Sequence, residues 1–182
     1  MSKCDLYESE RLIFRPLRIE DAPSLHKRWN EASRMCYFSY QRPETLTYEN
    51  ALRACESSAD RFDCDILSGN ARFPIAIKST DEIIGNIAFT KTNADNEILE
   101  LAHDCIEMIY EIGEDYQNKG YATEAVKAST ILAFTRLCEA GAEIKIVAMV
   151  EHENVASTRV LEKAGFTLTH ATESMRVYEI KG

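Results

Sequence analysis

Gln117-Asn118-Lys119-Gly120-Tyr121-Ala122-Thr123-Glu124-Ala125 is the stretch from which the rest of the chain can be read. It follows an apolar, strand-like segment, Ile106 to Ile112, and opens a helix-like segment, Tyr121 to Cys138. The first N–H groups of a helix have no internal carbonyl partners, and the helix dipole adds partial positive charge there. Gly120 has no side chain to hold a ligand away, and Ala122 is nearly as small. Strand, glycine turn and helix in this order form a cradle for a diphosphate. The same features also describe an ordinary capped helix start, so the turn needs support from elsewhere in the chain.

Downstream, Ile144 to Val150 is an apolar strand bounded by Gly141. Asn154 to Ala164 has helical character, with Asn154 suited to the N-cap and Gly165 just past the end. Phe166 to Thr169 and Arg176 to Ile180 form a closing pair of strands. Upstream, Glu10 to Arg15 alternates and ends at Pro16, which predicts a first strand. A helix is predicted over Ile19 to Trp29. A loop follows over Arg34 to Pro43, with Tyr37, Phe38 and Tyr40 able to line a pocket or cover the core. Ala51, Leu52, Cys55, Ala59, Phe62 and Ile66 fall at helical spacing, so a second helix is expected over Thr47 to Ile66. Phe73 to Lys78 and Ile83 to Thr90 read as two strands joined at Ser79-Thr80-Asp81-Glu82. Asn93 to Asn96 is a polar turn, and Glu97 to His103 is a short strand or an irregular lead-in. The whole order predicts one mixed α/β domain over residues 1–182, built around a central sheet.

The 182 residues are enough for one domain with a sizeable core, at 45% hydrophobic and 28% charged content. No apolar run approaches the roughly 20 residues of a membrane helix. Met1-Ser2-Lys3-Cys4-Asp5 lacks the apolar segment of a signal peptide, so no membrane association and a cytoplasmic location are expected. The net charge of −9 argues against a nucleic-acid partner, which needs clustered Lys and Arg. It is compatible with a cationic substrate, and equally with solubility alone. Cys4, Cys36, Cys55, Cys64, Cys105 and Cys138 form no C-x-x-C pair and no zinc-ligand spacing with histidine, so no metal is expected. Cys55 and Cys138 sit among apolar helix positions and read as small core residues. His103 and His152 read as surface or turn residues.

The Gln-x-x-Gly-x-Ala of residues 117–122 resembles the acyl-CoA diphosphate signature of the GNAT N-acetyltransferases. Asn154-Val155-Ala156-Ser157, continuing to Glu162-Lys163-Ala164-Gly165-Phe166, resembles a helix of their ribosomal-protein N-terminal acetyltransferase subgroup. Glu10-Arg11-Leu12-Ile13-Phe14-Arg15-Pro16-Leu17 with Glu20-Asp21-Ala22, and Ile83-Ile84-Gly85-Asn86-Ile87, are similar to that subgroup's first strand and helix and its third strand. The four matches occur in family order and span nearly the whole chain. The resemblance implies a single-domain GNAT fold: a mixed, mostly antiparallel, twisted sheet flanked by helices, with two central strands splayed around acetyl-CoA as co-substrate.

The resemblance also implies roles. A backbone N–H on the strand Tyr110-Glu111-Ile112 polarises the thioester carbonyl. Glu107, in Ile106-Glu107-Met108-Ile109-Tyr110, is the candidate base, with Glu111 as its competitor on the same strand face. The Asn154 amide bonds the pantetheine arm, and Ser157, three residues on and on the same helix face, is the candidate acid for the leaving thiolate. Gln117, Asn118, Lys119, Gly120, Tyr121, Ala122 and Thr123 surround the diphosphate, with a hydroxyl from Thr123 and a charge from Lys119. Arg159 and Lys163 lie four apart and can face the adenosine phosphate or only solvent.

The expected reaction is acetylation of a primary amine by direct transfer in a ternary complex. A protein N-terminal α-amine is the leading acceptor. A small amine such as a polyamine or antibiotic, and a noncatalytic acyl-CoA-binding module, are the alternatives. Acceptor specificity is expected in the Arg34 to Leu46 loop and the second helix. Monomer and homodimer are both open.

Overall fold

A computed structural model of the chain describes residues 7–32, 46–58, 62, 66–91, 105–142 and 145–182. Its strands are β1 (Tyr7–Glu8), β2 (Leu12–Phe14), β3 (Asn70–Ile77), β4 (Ile83–Lys91), β5 (Cys105–Ile112), β6 (Lys145–Glu151), β7 (Thr167–Ala171) and β8 (Met175–Ile180). Its helices are α1 (Ala22–Trp29), α2 (Tyr48–Glu56), α3 (Tyr121–Glu139) and α4 (Val155–Ala164). The strands form one sheet in the order β1-β2-β3-β4-β5-β6-β8-β7. Every pairing is antiparallel except β5 with β6.

The two faces of the sheet are set by the alternation of side chains along each strand. On β5, Ile106 and Met108 enter the main core with Ile87 and Phe89 of β4, Ile146 and Ala148 of β6, and the inner face of α3. That helix buries Ala125, Val126, Leu132, Ala133 and Leu137 at three- and four-residue spacing. Ser129 and Thr130 are buried there too, their hydroxyls donating to the Val126 carbonyl at 3.1 and 2.8 Å. The opposite face carries a smaller patch of Cys105, Val147 and Val177. On that face Arg28 of α1 reaches Glu111 of β5 at 3.5 Å, and α1 packs with α2 through Ala22, Leu25, Ala51 and Cys55.

The pairing of β5 with β6 decides the shape of the centre. Among the described residues it covers Cys105↔Lys145, Ile106↔Ile146 and Glu107↔Val147. β5 then stays with β4 as far as Gly85↔Ile112, while β6 stays with β8 as far as Glu151↔Met175. The two strands therefore part after Glu107 and Val147, which is the expected splay. Gly85 sits where β4 and β5 run close: a Cβ there would meet the Glu111 carbonyl oxygen at 2.4 Å.

Arg15, 2% exposed, ties the N-terminal strand to two other elements. Its Nη1 and Nη2 donate to Asp21 at 2.8 and 3.0 Å, and its Nε donates to Asp81 at 2.7 Å. Asp81 lies in the β3–β4 turn that the sequence places at residues 79–82, with φ of 56°.

Three expectations change. The second helix is shorter than Thr47 to Ile66: α2 ends at Glu56, where the Ser57 hydroxyl caps the Arg53 carbonyl at 2.8 Å, and Ile66–Ser68 is a separate 3₁₀ turn. Ala51 and Cys55 pack against α1, whereas Phe62 and Ile66 pack into the main core. Cys138 is exposed on the last turn of α3, on the side away from Leu137, whereas Cys55 and Cys105 are buried. The strand expected over Glu10 to Arg15 is shorter, Leu12–Phe14, and a further strand, Tyr7–Glu8, pairs antiparallel with it through the turn at Ser9. The loop with Tyr37, Phe38 and Tyr40, the Asn93–Asn96 turn, the 97–103 segment with His103, and Cys4, Cys36 and Cys64 lie outside the described residues. Leu46, at the loop's end, is buried. Among the described residues no helix is long and apolar enough to cross a membrane.

Candidate active site

The gap between β5 and β6 presents backbone groups as well as side chains. Gly113 N–H donates to the Ile84 carbonyl at 2.8 Å, continuing the β4–β5 ladder. In an antiparallel pair, hydrogen-bonded and non-hydrogen-bonded positions alternate. Glu111, Ile109 and Glu107 thus bond toward β4, and the N–H groups of Tyr110 and Ile112 point into the gap. The carbonyl of Ile112 accepts from Gln117 Nε2 at 3.2 Å, which ties the strand end to the following turn.

Beyond a 3₁₀ turn at Glu114–Tyr116, the chain at Gln117, Asn118, Lys119 and Gly120 is exposed. Asn118 (φ 60°) and Gly120 (φ 82°) are both left-handed. Gly120 is the N-cap of α3, and the first helical bond runs from Glu124 N–H to its carbonyl at 3.1 Å. The N–H groups of Tyr121, Ala122 and Thr123 precede that bond and face the open end. A Cβ on Gly120 would meet a single neighbour within 4 Å, Arg11 Nη2 at 3.3 Å. The space above the helix start is therefore open to a ligand and would be narrowed by any side chain. Lys119 turns its ammonium back: Nζ donates to the Asp115 carbonyl at 2.7 Å and lies 5.5 Å above the Tyr116 ring.

Asn154 caps α4, its Oδ1 accepting from Ser157 N–H at 3.0 Å. The Ser157 hydroxyl sits 2.6 Å from the Tyr110 hydroxyl, and the latter also reaches the Ser157 carbonyl at 3.2 Å. Tyr110 thereby spans the gap from β5 to the start of α4. Burial pushes its phenol up to about 12, against the opposing pull of the Ser157 bond, so it remains a proton donor. This partnership was not visible in sequence, where Tyr110 counted only for its backbone. Residues 110 and 157 are brought together by tertiary packing alone.

Glu107 is half-buried on the other sheet face, with Cys105, Val147, Val177 and Met149. Burial raises its carboxyl to about 6. Glu111 lies on the same face, its Oε1 3.5 Å from Nη1 of the buried Arg28 on α1. The two candidate bases thus differ: one stands in an apolar patch, the other beside a guanidinium. Arg159 and Lys163 are exposed on α4, and His152 Nε2 lies 2.8 Å from the Thr172 carbonyl in a turn. Among the described residues no cluster of His, Cys, Asp or Glu is placed to hold a metal.

Sequence reasoning also passed over Arg11. It lies more than 100 positions from the turn it touches, and within its own segment it is one charge beside an alternating strand.

The model of an acetyltransferase (GNAT) domain matches residues 11–167. An uncharacterised N-acetyltransferase, p20 of Bacillus licheniformis, is 30% identical over 164 residues, covering 87% of this chain and 80% of that protein. A GNAT-family acetyltransferase from Bacillus anthracis has a similar structure, with a TM-score of 0.73 at 22% identity over 97% of this chain and 98% of that one. RimL, a ribosomal L7/L12 α-N-protein acetyltransferase crystallised with coenzyme A, has a TM-score of 0.65 at 16% identity, over 97% and 98% of the two chains. Matched over most of its length by the domain model and by p20, this chain belongs to the GNAT acetyltransferase family and is an acetyl-CoA-dependent N-acetyltransferase.

Proposed function

We propose that the protein acetylates a protein N-terminal α-amine by direct transfer within a ternary complex. One observation carries this reading: the candidate base and the candidate acid stand on opposite faces of the sheet, at the point where β5 and β6 part. Donor and acceptor can therefore approach the gap from different sides and meet in it. Acetyl-CoA supplies the activated acetyl thioester. The helix start at residues 117–123 cradles its diphosphate, and Asn154 Nδ2, left over from the cap, reaches the pantetheine arm.

In this mechanism the Tyr110 and Ile112 N–H groups receive the charge that develops on the thioester oxygen, a role worth about 3–4 kcal/mol per donor in comparable sites. Glu107 takes the proton that the amine sheds on attack. Ser157 gives a proton to the departing sulfur, and its oxygen regains one from the Tyr110 hydroxyl 2.6 Å behind it, which is re-protonated in turn from solvent. Glu111 is held against Arg28, which offsets its charge and leaves Glu107 as the base.

The acceptor follows from proton affinity. An α-amine has a pKa of about 8 and a lysine or polyamine amine about 10 or more. A carboxylate near 6 is matched far better to the first than to the second. The shared fold of RimL, whose acceptor is a protein α-amine, agrees with this choice. The test is a competition assay. Peptides with free N-termini are expected to be acetylated in preference to N-blocked, lysine-bearing peptides. Preference for a polyamine or aminoglycoside over every free N-terminus would overturn the acceptor assignment.

A further inference from the structure

Arg11 is absent from the site described so far, yet its guanidinium is fixed against the diphosphate turn from the other side. Its Nε donates to Glu124 Oε2 at 2.7 Å, and its backbone N–H donates to Glu124 Oε1 at 2.7 Å. The Ser9 hydroxyl donates to the same Oε1 at 2.7 Å. Nη1 donates to the Lys119 carbonyl at 3.0 Å, and the guanidinium carbon lies 4.5 Å over the Tyr121 ring. These contacts hold both ends of the turn, residue 119 before the glycine and residues 121 and 124 after it. Nη2 alone is left without a protein partner among the described residues. It is the atom nearest the space beside Gly120.

Two further facts bear on what that space accepts. Glu124 places a carboxylate in the first turn of α3, where a phosphate would meet repulsion. Burial works against that carboxylate's charge, but the Arg11 N–H, the Ser9 hydroxyl and the Arg11 guanidinium outweigh it and hold it below its ordinary range. The charge of Glu124 is thus neutralised and used to orient the arginine. A guanidinium fixed through Nε and Nη1 loses little freedom when Nη2 finds an anion, and arginine suits phosphate oxygens better than a point charge does.

We propose that Arg11 is a diphosphate-binding residue of the acetyl-CoA site, held in place by Glu124, with its Nη2 directed at a phosphate oxygen beside Gly120. The proposal rests on the placement of the diphosphate at residues 117–123. The experiment measures the Kd of CoA by calorimetry and that of pantetheine, which lacks the diphosphate and nucleotide, by displacement. It uses wild type, Arg11→Gln, Arg11→Lys and Glu124→Gln, each checked for its melting temperature.

One charge-assisted hydrogen bond corresponds to about tenfold to hundredfold in Kd. Arg11→Gln is expected to narrow the CoA-to-pantetheine affinity ratio by that amount. Arg11→Lys should narrow it less, because the charge is kept and the Nη2 donor fixed by Glu124 is lost. Glu124→Gln should also narrow it, because the guanidinium is released. An unchanged ratio in Arg11→Gln, whether both affinities fall together or neither falls, overturns the role of Arg11. A wild type that binds pantetheine as well as CoA overturns the underlying diphosphate placement instead. Arg11→Lys decides the matter if Arg11→Gln melts early: a well-folded lysine variant with the wild-type ratio overturns the role of an Nη2 donor held in place by Glu124.

Discussion

Glu107 is where chemistry and stability pull in opposite directions. Its carboxyl titrates near 6 because its surroundings are apolar. The native state thus binds a proton there more tightly than the unfolded chain does. The contribution of Glu107 to stability is therefore greatest below the ordinary carboxylate range and is lost as pH rises through about 6. Glu107→Gln is expected to gain about 1–2 kcal/mol over wild type at pH 7.5 in denaturant unfolding, with the gain vanishing below pH 4. Equal stability at both pH values would mean that the carboxyl is not desolvated. Tyr110 and Ser157 act as one unit, since their hydroxyls are 2.6 Å apart. Tyr110→Phe and Ser157→Ala should each lower kcat about tenfold with little change in the affinity for acetyl-CoA. The double variant should be no slower than Ser157→Ala alone, whereas multiplied losses would show two independent roles.

Among the elements, α4 is capped by Asn154, the residue proposed to hold the pantetheine arm as well. Asn154→Ala removes the acceptor for Ser157 N–H and should cost about 1 kcal/mol of stability. If the amide also serves the pantetheine arm, CoA affinity should fall in the same variant, while Asn154→Ser, which keeps a cap, should recover stability but not affinity. Recovery of both by serine would leave Asn154 a cap only. The element scale also shows what a sequence can display. α3, α4, β4, β5 and β6 were legible because their patterns are local: apolar periodicity, an Asn cap, a glycine past the end. α2 was overdrawn because residues 51–66 keep one apolar spacing, and spacing carries no information about the Ser57 cap that ends the helix at Glu56. Cys138 was misplaced for a related reason, since one step around a helix moves a residue from the core to solvent. Glu107 and Ser157 could be picked out through motifs. Tyr110 and Arg11 depend on contacts between distant segments, and no local pattern announces those.

At the scale of the molecule, the account rests on a sheet that opens at its centre. The parallel pairing of β5 with β6 ends at Glu107↔Val147, and everything assigned to catalysis stands at that opening. One face carries Glu107 and Glu111 near α1. The other carries α3 and α4, whose N-termini approach the same gap with Gly120 on one and Asn154 and Ser157 on the other. Fold and chemistry thus share one cause, and the claim that most needs testing is that an amine loses its proton to Glu107 at this opening. The measurement is the pH profile of kcat/KM with a free N-terminal peptide, for wild type and Glu107→Gln. The wild-type profile should break near pH 6, where Glu107 titrates, and again near about 8, where the α-amine does. Glu107→Gln should lack the break near 6 and run about 10²–10⁴-fold slower between the two values. A variant that keeps the break near 6, or that matches the wild-type rate across the range, would contradict the account.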